Sequence, residues 1–166
     1  DHHGQLLAKI MSFMMDRLAV HEEGLLALPW DKSLEMNRFD IPSIYITTLA
    51  KEAFVLHKIL WTLLPHGEVV DIFQRVLDAY GSRLSSGYDV LDTEKPWVRS
   101  RIIADVVHVH DLLFQLDVIQ SNSEMFQPIT RMYQRYVVDL RKAASVKSDS
   151  SSQTSAPDGP LLSEPN

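Results

Sequence analysis

The sequence contains no cysteine and no long apolar run, and these two absences exclude several classes of protein. Without thiols the chain has neither a disulfide framework nor a thiolate that could serve as nucleophile or metal ligand. No apolar stretch approaches the roughly 18 residues of a transmembrane helix, and no signal peptide opens the chain. These features fit a protein of a reducing compartment that does not span a membrane.

Positive charge is also scarce. The 166 residues include 16 Lys and Arg against 22 Asp and Glu, which gives a net charge of -6. A general nucleic-acid binder would normally show a strong basic excess, so this class is disfavoured. Because 45% of the residues are hydrophobic, the chain is long enough and apolar enough to form one globular domain with a real core.

The central stretch, residues 43–84, contains two helical patterns separated by Pro65-His66-Gly67. Apolar residues at steps of three and four define one face of each helix. In the first helix they are Leu49, Ala53, Leu56, Leu60 and Leu63, and in the second Val69, Phe73, Val76, Leu77, Tyr80 and Leu84. The short turn between them predicts an antiparallel helical pair.

Three further helices are predicted around this pair. The first runs from Gly4 to about Glu23, with Gly24 as its C-cap. A Ser/Gly/Asp-rich break, residues 85–92, precedes the fourth, which runs from its N-cap Thr93 to about Ile119, and the fifth covers about 124–144. The predicted core face of the fourth helix consists of Ile102, Ile103, Val106, Val109, Leu113 and Leu116. We therefore expect an all-α fold, an antiparallel bundle of about five helices over residues 1–144. A connector, residues 25–42, is predicted to pack back on the bundle, and residues 145–166 to form a disordered Ser/Pro-rich tail.

A second apolar stripe on the first helix consists of Leu6, Phe13 and Val20, spaced by seven residues. It has two interpretations: additional core packing within the domain, or docking against sequence upstream of Asp1. The second is reasonable because an exposed apolar stripe is a liability for a free domain. The chain begins in the middle of a helical pattern, so we expect it to be part of something longer.

Two ionisable residues interrupt the apolar faces, Glu52 in the central helix and His110 in the fourth. Buried ionisable groups must be paired or neutral, so a buried polar pair between Glu52 and His110 is one interpretation. The other is that both lie at the rim of the core and reach water. No nucleophile or phosphate loop accompanies them, so catalytic residues are not predicted.

The seven histidines do not predict a metal site. His108 and His110 are two residues apart, and on one helix such side chains point to nearly opposite sides. The i, i+4 spacing of helical zinc ligands is absent. We therefore predict no metal site and no cofactor.

Two surfaces are candidates for contact with a partner. On the outer side of the fifth helix, Arg131, Arg135 and Lys142 could meet an acidic partner or anionic lipid, although a solvated helix face explains them equally well. Near the start of the fourth helix, Trp97 and Arg101 form a weaker candidate, since an aromatic residue with arginines is a common interface composition.

The run from Leu56 to Leu84 resembles the C-terminal helical domain of the vacuolar protein sorting-associated protein 54 family. The similar features are the segment Leu56–Pro65, with the pattern LHK-L---LP, and the pattern V--IF--V---Y---L that ends at Leu84. Residues 4–18 are similar to the helix that precedes this segment in the family. That family belongs to the Golgi-associated retrograde protein (GARP) tethering complex.

The resemblance implies a segment of a helical-rod subunit that takes part in vesicle tethering and retrograde transport from endosomes to the trans-Golgi network. It also implies a peripheral location on the cytoplasmic face of these membranes, assembly with other subunits through upstream coiled-coil sequence, and contact with a membrane protein or SNARE. The alternatives are the equivalent domain of a sister, exocyst-like tethering subunit and a helical adaptor that binds a partner helix. An enzyme is the least favoured class.

Overall fold

The computed structural model describes residues 2–30 and 40–151, with side chains described as far as Ser148. Every regular element in these residues is helical, which confirms the predicted all-α class. The α-helices are α1 (His2–Leu26), α2 (Ile44–Leu63), α3 (His66–Asp89), α4 (Pro96–Leu113), α5 (Asp117–Ser121), α6 (Gln127–Tyr133) and α7 (Leu140–Ser151). A 3-10 turn, Ser123–Phe126, precedes α6, and a π-helical segment, Gln134–Asp139, joins α6 to α7.

Successive long helices run in opposite directions, but neighbours in space are often parallel. Helix α1 pairs with α3 in parallel, because His3 contacts Glu68 near both starts and Glu22 contacts Arg83 near both ends. Helix α2 packs between α1 and α4, and α3 packs between α1 and α6. The predicted pair α2 and α3 therefore diverges after its turn, and each helix packs mainly on more distant parts of the chain.

The core lies between these helices and contains most of the predicted apolar faces. All six predicted residues of α3 are buried, and so are five of the six predicted for the fourth helix; Ile103 is half-buried. The prediction for α2 was only partly right. Leu49, Ala53 and Leu60 are buried, whereas Leu56 is half-buried and Leu63 is exposed.

Several predicted boundaries were wrong. Helix α3 continues through the predicted break to Asp89, because Gly87 and Tyr88 still face the core. The fourth helix ends at Leu113, and α5 begins only at Asp117. No Pro or Gly marks this second break; the chain turns there because Leu116, Val118 and Ile119 all enter the core from a new direction.

The predicted caps also need correction. Gly24 lies inside α1 rather than at its end, and the Tyr45 ring packs so closely on it that a Cβ would collide. The residue at the N-cap of α4 is Lys95, not Thr93, and Pro96 takes the first helical position, where its missing N–H costs little. Gly81 has a related role, since a Cβ there would lie 2.8 Å from the Cβ of Pro128. Both glycines permit close helix crossings.

The connector and the tail are described only at their ends. Residues 31–39 lie outside the described residues; Trp30, just before them, is half-buried, and its Nε1 donates to the Leu25 carbonyl at 2.8 Å. The last helix continues beyond residue 144 to Ser151. The first part of the predicted tail, residues 145–151, is therefore helical, and the rest of it, residues 152–166, lies outside the described part of the chain.

Candidate interaction surfaces

A buried carboxylate, Asp105, ties together the ends of two helices and the middle of a third. It accepts hydrogen bonds from the backbone N–H of Ser43 (2.5 Å), from the Ser43 hydroxyl (3.1 Å) and from the Tyr88 hydroxyl (3.2 Å). Burial raises the pKa of Asp105 to about 6, against the opposing effect of these donors. Ser43 stands at the N-cap of α2, but its side chain binds Asp105 and does not cap the helix. Asp105 was not among the residues predicted from the sequence.

A second buried polar group, His57, joins α2 to the start of α5. Its Nε2 accepts a hydrogen bond from the backbone N–H of Val118 at 3.3 Å. The ring packs edge-on to Phe73 and stacks on Trp61. Burial is the main reason that the pKa of His57 is lowered to about 4, so the imidazole is neutral at pH 7. Its role is structural, because it satisfies a backbone donor inside the core.

Glu52 does not pair with His110. It binds Arg17 of α1, whose Nη2 and Nε donate to the two carboxylate oxygens at 2.7 and 2.9 Å. The buried His21 lies beside them, with its Nε2 3.2 Å from Glu52 Oε2. The hydrogen bond from Arg17 is the main reason that the pKa of Glu52 is lowered. The Glu52 side chain is 33% exposed, so the rim interpretation describes it.

His110 faces aromatic rings rather than an acid of another helix. Its ring lies 4.4 Å from that of Tyr133 and 5.2 Å from that of Phe126, and its Nδ1 contacts the neighbouring Asp111. His108 lies on another side of α4 and lines a surface hollow with Asp40 and Asp111. The two histidines therefore diverge as their spacing predicts. Within residues 2–30 and 40–151, no group of three or more potential metal ligands converges.

The stripe Leu6, Phe13 and Val20 is exposed, with relative accessibilities of 48%, 54% and 53%. Of its two interpretations, core packing within the bundle is therefore wrong for the described structure. Docking against sequence upstream of Asp1 remains a prediction. Helix α1 itself is held in place by other residues, among them the buried Met14, Leu18 and Leu25.

Helix α2 extends this apolar surface. Phe13 and Leu56 line the same small cleft between α1 and α2, together with the Arg17–Glu52 pair. On the outer side of α2, Val55, Ile59 and Leu63 are 48%, 48% and 72% exposed. The outer apolar face therefore comprises Leu6, Phe13, Val20, Val55, Ile59 and Leu63. Contiguous exposed apolar residues of this kind indicate a contact surface.

Of the three residues of the basic candidate surface, Arg131, Arg135 and Lys142, only one has a structural contact. Arg135 forms a 2.8 Å ion pair with Asp89, and its guanidinium lies over the Tyr136 ring. Arg131 and Lys142 are exposed and form no ion pair with a described residue. Arg131 also lines a hollow of about 240 Å³ between α3 and α6. Only Arg131 and Lys142 are therefore free to meet a partner.

Trp97 and Arg101 belong largely to the fold. The Nε1 of Trp97 donates to the Trp30 carbonyl at 3.1 Å, which fixes the start of the connector against α4. Arg101 is half-buried, and its charge favours the ionised form of the nearby Asp105. Trp97 therefore holds the start of the connector against α4 and is not a free contact residue.

The π-helical segment lies where the last helical run crosses the end of α3. Within it, the hydroxyl of Tyr136 lies 2.9 Å from the Ser85 carbonyl and contacts the Asp89 carboxylate. Burial raises the pKa of Tyr136. A π-helical turn contains an extra residue, which changes the direction of the side chains around it. In this turn both Tyr136 and Val137 are buried.

Comparison with known proteins adds no family to this description. No protein-family model, curated protein or solved structure gives a significant match to this chain. Among the described helices, none combines the length and apolar composition required to cross a lipid bilayer.

Proposed function

We propose that this bundle is the C-terminal domain of a multisubunit vesicle-tethering protein of the GARP type. In this proposal it acts in retrograde transport from endosomes to the trans-Golgi network, at the cytoplasmic face of these membranes. It contributes to recruitment through contacts with a membrane protein or SNARE and performs no catalysis, while upstream sequence assembles the complex.

The observation that carries the proposal is the position of the resembling run, Leu56–Leu84, in the fold. It forms the end of α2, the turn at Pro65 and most of α3, and α3 supplies more buried residues than any other helix described. The similarity therefore involves residues that build the bundle, not a peripheral helix. A domain of this kind can belong to a helical rod, because its exposed helix faces are available for contacts.

The surface best suited to recruitment is the pair Arg131 and Lys142 on the last helical run. Both side chains are exposed and lack ion pairs with described residues, so an acidic segment of a partner could approach them without displacing a structural contact. Exposed interface charges act mainly on the rate of encounter. Arg135 is excluded from this pair because Asp89 already holds it.

Two variants of the full-length subunit test the proposal in cells. A subunit that lacks residues 4–140 should still co-purify with its partner subunits but lose endosomal membrane association and slow retrograde cargo delivery. The double variant Arg131→Glu with Lys142→Glu should assemble normally and show reduced recruitment. A matched charge reversal elsewhere, Lys51→Glu with Arg75→Glu, should have no such effect.

Localisation of the tagged subunit and co-purification of the complex are the two measurements. Normal membrane association of the truncated subunit would refute the recruitment function and favour the helical adaptor. If the truncated subunit loses membrane association but the Arg131/Lys142 variant is recruited normally, the proposal of a tethering function stands. The contact then lies on another surface of the bundle.

A further inference from the structure

The outer apolar face has a charge pattern that identifies a partner for it. The residues four positions after Phe13 and Val20 face α2: Arg17 binds Glu52, and Gly24 supports the Tyr45 ring. Residues that come three positions after the stripe must then lie on the opposite flank of α1. These are Lys9, Asp16 and Glu23, and His2 continues the row one step earlier.

This charged row changes sign along the helix. It carries a histidine and a lysine at His2 and Lys9 and is acidic at Asp16 and Glu23, with a constant spacing of seven residues. All four side chains are exposed, and none forms an ion pair with a described residue. The row runs beside the apolar stripe over its whole length, about 21 Å from Leu6 to Val20 at 1.5 Å per residue.

A helix that docks on this stripe must be apolar at a seven-residue spacing. It must also be acidic opposite Lys9 and basic opposite Asp16. Helix α1 itself meets both requirements when it runs in the opposite direction. We propose that the outer apolar face is a homodimer interface, in which α1 of a second copy of this chain packs antiparallel on α1 about a two-fold axis at Phe13.

The register follows from this symmetry. Phe13 meets Phe13 of the second copy, and Leu6 meets its Val20. On the flank, Lys9 faces Asp16 of the second copy and His2 faces its Glu23. Each of these pairs occurs twice, because a two-fold interface is self-complementary. A two-fold axis perpendicular to both helices brings equivalent flanks together, which is why the charged rows meet each other.

The same operation brings the two α2 helices together. In the antiparallel pairing of α1 with α2, Phe13 lies next to Leu56. Val55 and Ile59 are therefore close to the proposed axis on the other flank, and they would be covered by their own counterparts. The dimer would thus bury both halves of the outer apolar face in a four-helix arrangement of α1 and α2 from each copy.

The mass of the 166-residue chain in solution tests the interface directly. Sedimentation equilibrium over about 1–500 µM, the range of moderate affinities, should show a species of twice the 18.9 kDa chain mass. Phe13→Asp places two carboxylates on the axis and should give a monomer. Val90→Asp is the control, since Val90 is 75% exposed on another part of the bundle and should leave the dimer unchanged.

Charge exchange tests the register and the identity of the partner. Lys9→Glu alone places two carboxylates opposite each other, and Asp16→Lys alone does the same with two ammonium groups. Each variant should therefore self-associate about tenfold less tightly. A heterodimer of the two variants has one contact between positions 9 and 16 with its charges exchanged and one unaltered contact between Asp16 and Lys9, so both contacts are attractive. An equimolar mixture should therefore dimerise more tightly than either variant alone.

Each alternative result rejects the proposal. A chain that remains monomeric throughout the range would leave the face to a helix of another protein or of upstream sequence. A Phe13→Asp variant that dimerises normally would place the interface elsewhere. Failure of the mixed charge variants to recover would reject the antiparallel register. Circular dichroism and melting temperature establish that every variant is folded.

Discussion

The two sides of helix α2 contrast in a way that its sequence does not suggest. On the inner side a histidine, His57, is fully buried and bonded to the backbone of α5. On the outer side three large aliphatic residues, Val55, Ile59 and Leu63, are exposed. Hydrophobicity alone therefore does not decide which side of an apolar helix is buried; the neighbouring helices decide it, and the remaining apolar side is available to a partner.

The largest effect should come from breaking the inner side while sparing the outer one. Leu49→Ala removes a fully buried side chain and should lower the free energy of unfolding by about 2–5 kcal/mol, because a cavity remains. Leu63→Ala, at a residue 72% exposed, should change it by less than about 0.5 kcal/mol in the monomer. Urea denaturation of dilute protein measures both. Equal losses would mean that the assignment of the two sides is incorrect.

The polar part of the inner side can be tested at Asp105. Asp105→Ala leaves the backbone N–H of Ser43 and two hydroxyl groups without their acceptor, and we expect a loss of about 2–4 kcal/mol at pH 7. Asp105→Asn keeps an acceptor oxygen and should cost much less. A similar loss in both variants would show that the charge of Asp105, rather than its hydrogen bonds, stabilises the contact between α2, α3 and α4.

The pH dependence of the Asp105→Asn variant sharpens this test. Because the pKa of Asp105 is raised from 3.8 to about 6 in the folded state, its contribution is fully present below pH 3.8 and is lost as pH rises through 6. Asparagine does not titrate, so the variant has no such loss of stability as pH rises. Relative to the unaltered chain, the variant should therefore gain up to about 3 kcal/mol between pH 4 and pH 7. A constant difference in stability across this range would contradict the raised pKa.

The contribution of His57 has the opposite sign. Its pKa is lowered from 6.5 to about 4, so the stability associated with the neutral ring is present above pH 6.5 and is lost as pH falls towards 4. When the unaltered chain is acidified, protonation of Asp105 raises its stability and protonation of His57 lowers it, so the two effects partly cancel. The Asp105→Asn variant removes the compensation and should therefore show the steeper acid-induced loss.

The smallest effect on stability is expected at the boundary between the inner and outer sides of α2. Glu52→Gln weakens the ion pair with Arg17, but both side chains are about one third exposed and water screens them. We expect a loss below about 1 kcal/mol in the free energy of unfolding, decreasing at high salt. Lys51→Gln, one residue earlier and exposed, is the matched control and should have no effect. A loss as large as that of Leu49→Ala would make this cluster part of the core.

Two polar residues of the core had a signal in the sequence that was overlooked. Asp105 lies between Ile102 and Val109 at helical spacing, and His57 lies in the same way between Ala53 and Leu60. Glu52 and His110 were noticed for this reason, yet these two are at the rim. The residue spacing along one helix indicates on which side of that helix a side chain lies. It does not indicate how close the next helix packs to that side.

The sequence by itself determined the helical class, the core face of α3 and most of that of the fourth helix, since local periodicity is encoded residue by residue. It also determined that Leu6, Phe13 and Val20 share one side of α1. Only the tertiary structure decided that this side is exposed, that α2 separates from α3 to pack on α1 and α4, and that Asp105 reaches Ser43 and Tyr88. These outcomes depend on the order of helices around the core, and that order is set by contacts between residues far apart in the chain.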